Sequence, residues 1–175
     1  MSIIGIVLLA AAAVFIYLFN GLVIKRSRVE NFLLYYTGFL KRRVDYLNDL
    51  LEMLPEADDM QIQKLRTLLE SPQLTTEISA KSQWDAAVTA AWKELFEIIR
   101  NNADLKDILT KIERNGGHLV TCRKEYNQAV KNLNDEIAVF PWSLLAGFMK
   151  ITPRTACTIP ETEWYKPLPL RDIEP

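Results

Sequence analysis

The chain has 175 residues, with 21 Lys and Arg against 22 Asp and Glu, so its formal net charge is −1. That balance lacks the basic surplus of a nucleic-acid binder. Two cysteines, Cys122 and Cys157, do not make a disulfide scaffold, and unpaired thiols suit a cytoplasmic domain.

Residues 3–19 read IIGIVLLAAAAVFIYLF, without a charge or a strongly polar group. Asn20, Gly21, Leu22, Val23 and Ile24 extend the run until Lys25, Arg26 and Arg28 end it. A helix of about 20 apolar residues crosses roughly 30 Å of hydrocarbon. A core helix of a soluble protein would carry a polar face, and this stretch has none. A cleaved signal would begin with basic residues and end at small ones. Here the bases come after the run, and Phe15, Ile16, Tyr17, Leu18 and Phe19 fill the cleavage position. Residues 1–24 are therefore predicted to be a transmembrane anchor. Tyr17 and Asn20 fit its interfacial zone.

Orientation follows from charge. Lys25, Arg26, Arg28, Lys41, Arg42 and Arg43 face a single acid, Glu30, over residues 25–43. Bases close to a span stay on the cytoplasmic side. The expectation is an N-terminus outside and a C-terminal domain in the cytoplasm. Lys25, Arg26 and Arg28 set that topology and can contact anionic headgroups.

Removing the anchor leaves about 150 residues, enough for one domain with a real core. From Val29 the apolar spacing is helical: Val29, Leu33, Tyr36, Leu40, Val44, Leu47, Leu51 and Leu54 follow the three-four step of a packed seam. Phe32, Phe39 and Leu50 widen it, and Pro55 ends it. The anchor is expected to run into this helix without a break. Asp45, Asp49, Glu52, Glu56, Asp58 and Asp59 then form an acidic stretch, read as a solvated face or as a docking patch for a basic partner.

A second helix is predicted over residues 57–70, broken by Ser71-Pro72. A third covers 76–100, with a seam of Trp84, Val88, Ala91, Leu95 and Ile98. Asn101-Asn102 reads as its end, and Asp104 as the N-cap of the next helix. The fourth covers 105–140. Leu119, Cys122, Tyr126, Val130, Leu133, Ile137 and Phe140 continue its seam at heptad spacing. Asn115-Gly116-Gly117 interrupts it at a cost of about 2 kcal/mol relative to alanines, so a kink or short loop is expected there. Pro141 stops the helix, and residues 143–149 make one or two further turns. The tail, residues 151–175, is proline-rich and reads as extended coil on the bundle, anchored by Trp164 and Tyr165. No strand pattern occurs. The fold class is all-α: one transmembrane helix, then an antiparallel bundle of three to four long helices over residues 25–150.

Catalytic patterns are poor. The single histidine, His118, lies four residues before Cys122, which a helix puts on one face. Two ligands fall short of a structural zinc site, and a Cys-His nucleophile pair lacks an orienting group. Gly116-Gly117 is not followed by the Lys-Ser/Thr of a phosphate loop, and Asp58-Asp59 lacks calcium-loop spacing. The expectation is no catalytic residue, no metal and no cofactor.

Four blocks carry a family resemblance. They are residues 17–23 with 28–31, including Asn20 and Asn31; residues 40–47, including Arg42, Arg43 and Asp45; residues 104–106; and Arg123, Tyr126, Asn127, Ala129, Val130, Asn134, Ile137, Phe140, Pro141 and the run 146–148. In these the chain resembles the LemA family, bacterial proteins with a single-span anchor and a long helical bundle. It departs from the family pattern at residues 115–119, where glycines replace helix formers. The resemblance implies a divergent member in the bacterial inner membrane, without established catalytic activity. Some relatives belong to the magnetosome membrane system and others occur beside membrane proteases. A non-enzymatic scaffold or adaptor is the reading that follows. Its partners would be the membrane, other membrane proteins and further copies of itself. Two alternatives stand beside it: a ligand- or metal-sensing module at the Gly116-Gly117 kink, and a self-associating membrane-remodelling protein. Arg42, Arg43 and Asp45 are expected to pair across the bundle with Arg123, Asn127 or Asn134.

Overall fold

The structure is a computed structural model, and it describes residues 3–54, 60–70 and 77–157. Five helices follow in order: α1 (Ile3–Met53), α2 (Met60–Glu70), α3 (Ile78–Ile99), α4 (Lys106–Ile137) and α5 (Trp142–Phe148), with a 3₁₀ turn at Ala103–Leu105. No strand occurs among the described residues. The chain divides into two compact units.

The larger unit holds residues 34–124 and Cys157. The second part of α1, then α2, α3 and the first part of α4 alternate in direction. Lys64 pairs with Glu94, and the Trp84 indole N–H donates to the Leu68 carbonyl, so α2 runs against α3. Trp92 meets Glu113 while Asp85 meets Arg123, so α3 runs against α4. Lys81 meets Thr37 while Thr89 meets Arg43, so α1 and α3 run the same way. This is an up-down-up-down four-helix bundle, which short connections favour. Its core packs Leu47, Leu50 and Leu51 of α1 on Leu65 of α2, Trp92 and Leu95 of α3, and Leu109 and Ile112 of α4.

The smaller unit holds α1 up to Leu33, the chain from Glu125 to the end of α4, α5 and the segment reaching Ala156. Lys25 and Glu136 form an ion pair between its two long helices. After α4, the segment 151–156 lies along the helix it has left. The Asn134 amide donates to the Arg154 carbonyl at 2.8 Å and accepts the Arg154 N–H at 2.9 Å. The Tyr126 hydroxyl donates to the Thr155 carbonyl at 2.8 Å. Residues 151–157 carry no helix. Trp164 and Tyr165, Pro55, Ser71-Pro72 and the acidic Glu56, Asp58 and Asp59 lie outside the described residues.

The seam expected for α1 is the buried one. Val29, Tyr36, Leu40, Leu47 and Leu51 are buried, and Leu33, Val44 and Leu54 half-buried. Two expectations are corrected. First, no loop interrupts α4 at Asn115-Gly116-Gly117: it runs as one helix from Lys106 to Ile137. The weak propensity of the two glycines is offset by packing on either side. Ile112, Asn115 and Leu119 are buried, the Asn115 amide donates to the Phe39 carbonyl at 3.2 Å, and the His118 ring stacks on Phe39 at 5.0 Å. Second, Asp104 is not the cap. Asn102 holds that role, accepting the Asp104 N–H at 3.0 Å.

Gly117 makes a direct test of this balance. A Cβ there would meet nothing within 4 Å. Gly117→Ala is expected to stabilise the protein by about 1 kcal/mol, the helix-propensity difference between the two residues. Thermal unfolding followed by circular dichroism should show the midpoint rising by about 2–4 °C. A fall would mean that the glycine is needed for a close approach.

Candidate functional site

Among the described residues, charged side chains from three helices converge inside the larger unit. On α3, Asp85 falls on the same stripe as Val88 and Trp92, three and seven positions on, so the helix carries a carboxylate into its own core face. On α1, Tyr36 and Arg43 are seven residues apart and share one side of the helix. From α4 comes Arg123. Asp85 is 0% exposed, Arg123 1% and Arg43 2%, so the charges are enclosed.

Each oxygen of the Asp85 carboxylate has donors. Arg43 Nη1 donates to Oδ1 and, at 2.9 Å, to the Thr89 hydroxyl. The Tyr36 hydroxyl donates to Oδ2 at 3.0 Å, and Arg123 Nε lies 3.6 Å from the same atom. The Thr89 hydroxyl in turn donates to the Asp85 backbone carbonyl at 2.7 Å, a bond back along the helix. Arg123 Nε also donates to the Leu119 carbonyl at 3.4 Å. Cys157, buried at the end of the described chain, is hydrogen-bonded with Tyr36.

The electrostatics follow from this enclosure. Burial, reinforced by the Asp85 charge, holds the Tyr36 phenol far above its ordinary range, so it stays a neutral donor. Burial lowers the Arg43 guanidinium, and the Asp85 charge opposes that shift. Burial also pushes the Cys157 thiol from 9.0 to about 11, against the neighbouring Arg123. A thiol this basic is protonated at neutral pH and a poor nucleophile. The carboxylate accepts hydrogen bonds from Arg43 and Tyr36 and has no exposed surface. What such a network does well is fix the register of the helices that contribute to it, because every other alignment strands a buried charge.

A model of the LemA family matches residues 37–168. The chain belongs to the LemA family. The LemA match opens one residue after Tyr36 and includes Arg43, Asp85, Thr89, Arg123 and Cys157. No curated protein matches the chain in sequence.

The remaining sequence-predicted residues of this LemA protein distribute over both units. Arg43 joins the buried cluster, as does Arg123, but their partner is Asp85, which sequence reasoning passed over. Arg42 is exposed, with its guanidinium over the Phe39 ring at 5.6 Å, and Asp45 is exposed as well. Both point away from the cross-bundle pairing expected of them, because a helix that buries position 43 turns positions 42 and 45 outward. In the smaller unit, Tyr126 and Asn134 hold the segment 151–156. Asn127 is half-buried on the same helix. Asn20, Asn31 and Phe140 are exposed, and Pro141 is half-buried. Of the basic trio, Lys25 pairs with Glu136, Arg26 pairs with Glu30 at 2.9 Å, and Arg28 is exposed. His118 is exposed and stacked on Phe39, and Cys122 is half-buried one turn further on.

Asp85 could have been found from the sequence. Taken with it, Val88, Trp92, Leu95 and Ile99 step by three and four, and all are buried. Reading only apolar residues moves the seam by one position, to Trp84 and Ile98. Trp84 is half-buried and Ile98 is 58% exposed.

Cys157 gives a pH-dependent reading of the cluster. Its folded thiol titrates near 11 against 9.0 when unperturbed, so between those values the folded state holds a proton that the unfolded state has lost. That contribution to stability is whole below pH 9 and lost as pH rises towards 11. Alkylation by iodoacetamide in the native protein is expected to accelerate towards pH 11. A midpoint near 9 would show an unburied thiol.

Proposed function

We propose that the protein is a single-pass, membrane-anchored helical scaffold or adaptor without catalytic chemistry of its own. The observation that carries this reading is the character of α1. One helix, Ile3–Met53, contains both a stretch long and apolar enough to cross a membrane, with none of that stretch's residues fully buried, and the seam of the four-helix bundle. A bare apolar helix surface is tolerated in lipid and costly in water, at about 25 cal/mol per Å². The bundle's main charged cluster is sealed and serves its own register, which suits a part that positions other molecules. Lys25, Arg26 and Arg28 beside the span support a cytoplasmic bundle at the bacterial inner membrane, with the N-terminus outside.

Light crosslinking in native membranes, followed by capture through a C-terminal tag and mass spectrometry, tests this directly. A membrane protein recovered in fixed stoichiometry supports an adaptor. Recovery of the protein alone, at defined multiples, supports a self-assembling scaffold. A monomer with no crosslinked product would overturn both.

A further inference from the structure

The chain returns to the level of the anchor after the bundle, and it changes character when it does. Lys25 and Glu136 face each other across the two helices of the smaller unit. Before Lys25, α1 is free of charge back to Ile3. After Glu136, residues 137–149 (IAVFPWSLLAGFM) are equally free of charge, until Lys150. The ion pair therefore marks one height at which both segments pass from polar to apolar sequence. Beyond it the two run side by side. The Trp142 ring lies against Gly21, where a Cβ would meet it at 3.0 Å, and tilts on the Tyr17 ring at 6.5 Å. Phe15 and Leu18 of α1, with Pro141, Leu144, Leu145 and Phe148, line an open apolar groove of about 270 Å³.

The rise of a helix converts these contacts into depth. Leu18 lies about 10 Å, and Phe15 about 15 Å, along the axis from Lys25. If Lys25 sits among headgroups, a segment packed at Leu18 and Phe15 is below them, in acyl chains. Its outward face matches that solvent: Phe148 is 81% exposed, Phe140 74%, Leu144 69% and Val139 59%. Its inward face is already used, with Leu145 and Ala146 buried. The exit is built as well. Lys150, at φ 53°, ends α5 with its N–H on the Gly147 carbonyl and the next N–H, of Ile151, on the Ala146 carbonyl. This cap turns the chain back, and Arg154 then lies 3.7 Å from Glu30, on the polar side of the Lys25–Glu136 pair.

We propose that residues 137–149 form a second membrane element: a short re-entrant segment that dips beside the anchor into one leaflet. Val139, Phe140, Leu144 and Phe148 contact acyl chains, and Lys25, Arg28, Lys150 and Arg154 stand at the headgroups. This rests on the membrane reading of α1. It commits the groove to lipid, because the groove is continuous with the bare surface of the anchor. Insertion of a short apolar segment with flanking bases is the interfacial mode of membrane binding.

The test is photolabelling of the full-length protein in phosphatidylcholine–phosphatidylglycerol vesicles with a lipid-soluble diazirine, mapped by proteolysis and mass spectrometry. Label is expected on both residues 3–19 and residues 139–148, at densities within about threefold of each other, because both face hydrocarbon. Label on the anchor alone overturns the proposal and leaves the anchor standing, including the case in which a second copy covers the groove. Label on neither overturns both. The paired substitution Leu144→Gln with Phe148→Gln changes exposed side chains and leaves the fold intact. It is expected to lower labelling of Val139 and Phe140 several-fold, with the anchor unchanged. Unchanged labelling of Val139 and Phe140 would overturn the insertion.

Discussion

Asp85→Asn is expected to cost the protein about 3–5 kcal/mol, the effect of removing one partner from a buried charge network. The carboxylate is the anion that Arg43 and Arg123 both face inside the larger unit, and both guanidiniums remain buried when it is gone. Arg43 already feels Arg123 as a like charge that disfavours its ionised form. Asparagine keeps the volume but turns an NH₂ group towards donors and leaves the two positive charges without their anion. Urea unfolding of the full-length protein in detergent micelles, followed by circular dichroism, measures the loss directly. In thermal unfolding the midpoint should fall by roughly 10 °C. A change below about 1 kcal/mol would show that Asp85 is not a paired, buried carboxylate. A companion variant separates charge from packing. Replacing Asp85 by leucine together with Arg43 and Arg123 by methionine removes all three charges. It is expected to recover most of the loss, because a hydrophobic replacement of a buried ion network is often neutral or stabilising.

Trp92→Ala is expected to cost about 4 kcal/mol, in the range for deleting a fully buried aromatic side chain. Trp92 is 0% exposed, packs against Phe96 with ring centroids 5.5 Å apart, and donates its indole N–H to the buried Glu113 at 3.3 Å. Alanine opens a cavity between α3 and α4 and withdraws the indole donor from the buried Glu113 carboxylate. Trp92→Phe keeps most of the volume and is expected to lose about 1–2 kcal/mol, mainly for that hydrogen bond. Trp84→Ala is the useful contrast. Trp84 is half-buried and donates to the Leu68 carbonyl at 2.9 Å, so its loss should be the smaller of the two. Equal losses at positions 84 and 92 in denaturant unfolding would mean that the seam lies where the apolar residues alone place it. Asp85 and Trp92 are two turns apart, so the double variant should be close to additive.

Helix content, element order and the buried face of α1 were legible in the sequence. They depend on local quantities: apolar spacing, prolines at the ends, and a run too apolar for a water-facing helix. The seam of α3 was legible only in part, because a charge occupies one of its core positions and an apolar count steps around it. The partner of Arg43 was not legible. It lies 42 residues away on another helix, and although the three-four step puts Asp85 on the buried stripe of α3, no local spacing shows which helix brings its counter-charge. The continuity of the helix through Asn115-Gly116-Gly117 was not legible for a related reason. Propensity counts what an isolated helix loses at two glycines. It does not count what Asn115, His118 and Leu119 gain against α1.

The amino-acid sequence by itself determined that this is an all-α chain with an apolar stretch of spanning length, a basic boundary at residues 25–28 and a bundle seam beginning at Val29. Each of these is a matter of which residue types follow one another within a few turns. The tertiary structure alone decided that Arg43, Asp85 and Arg123 share one enclosed site, that α4 continues through Asn115-Gly116-Gly117, and that α5 lies against α1 near Gly21. Those outcomes depend on how segments far apart in the chain are aligned, because burial of a charge is tolerable only where its counter-charge arrives at the same height.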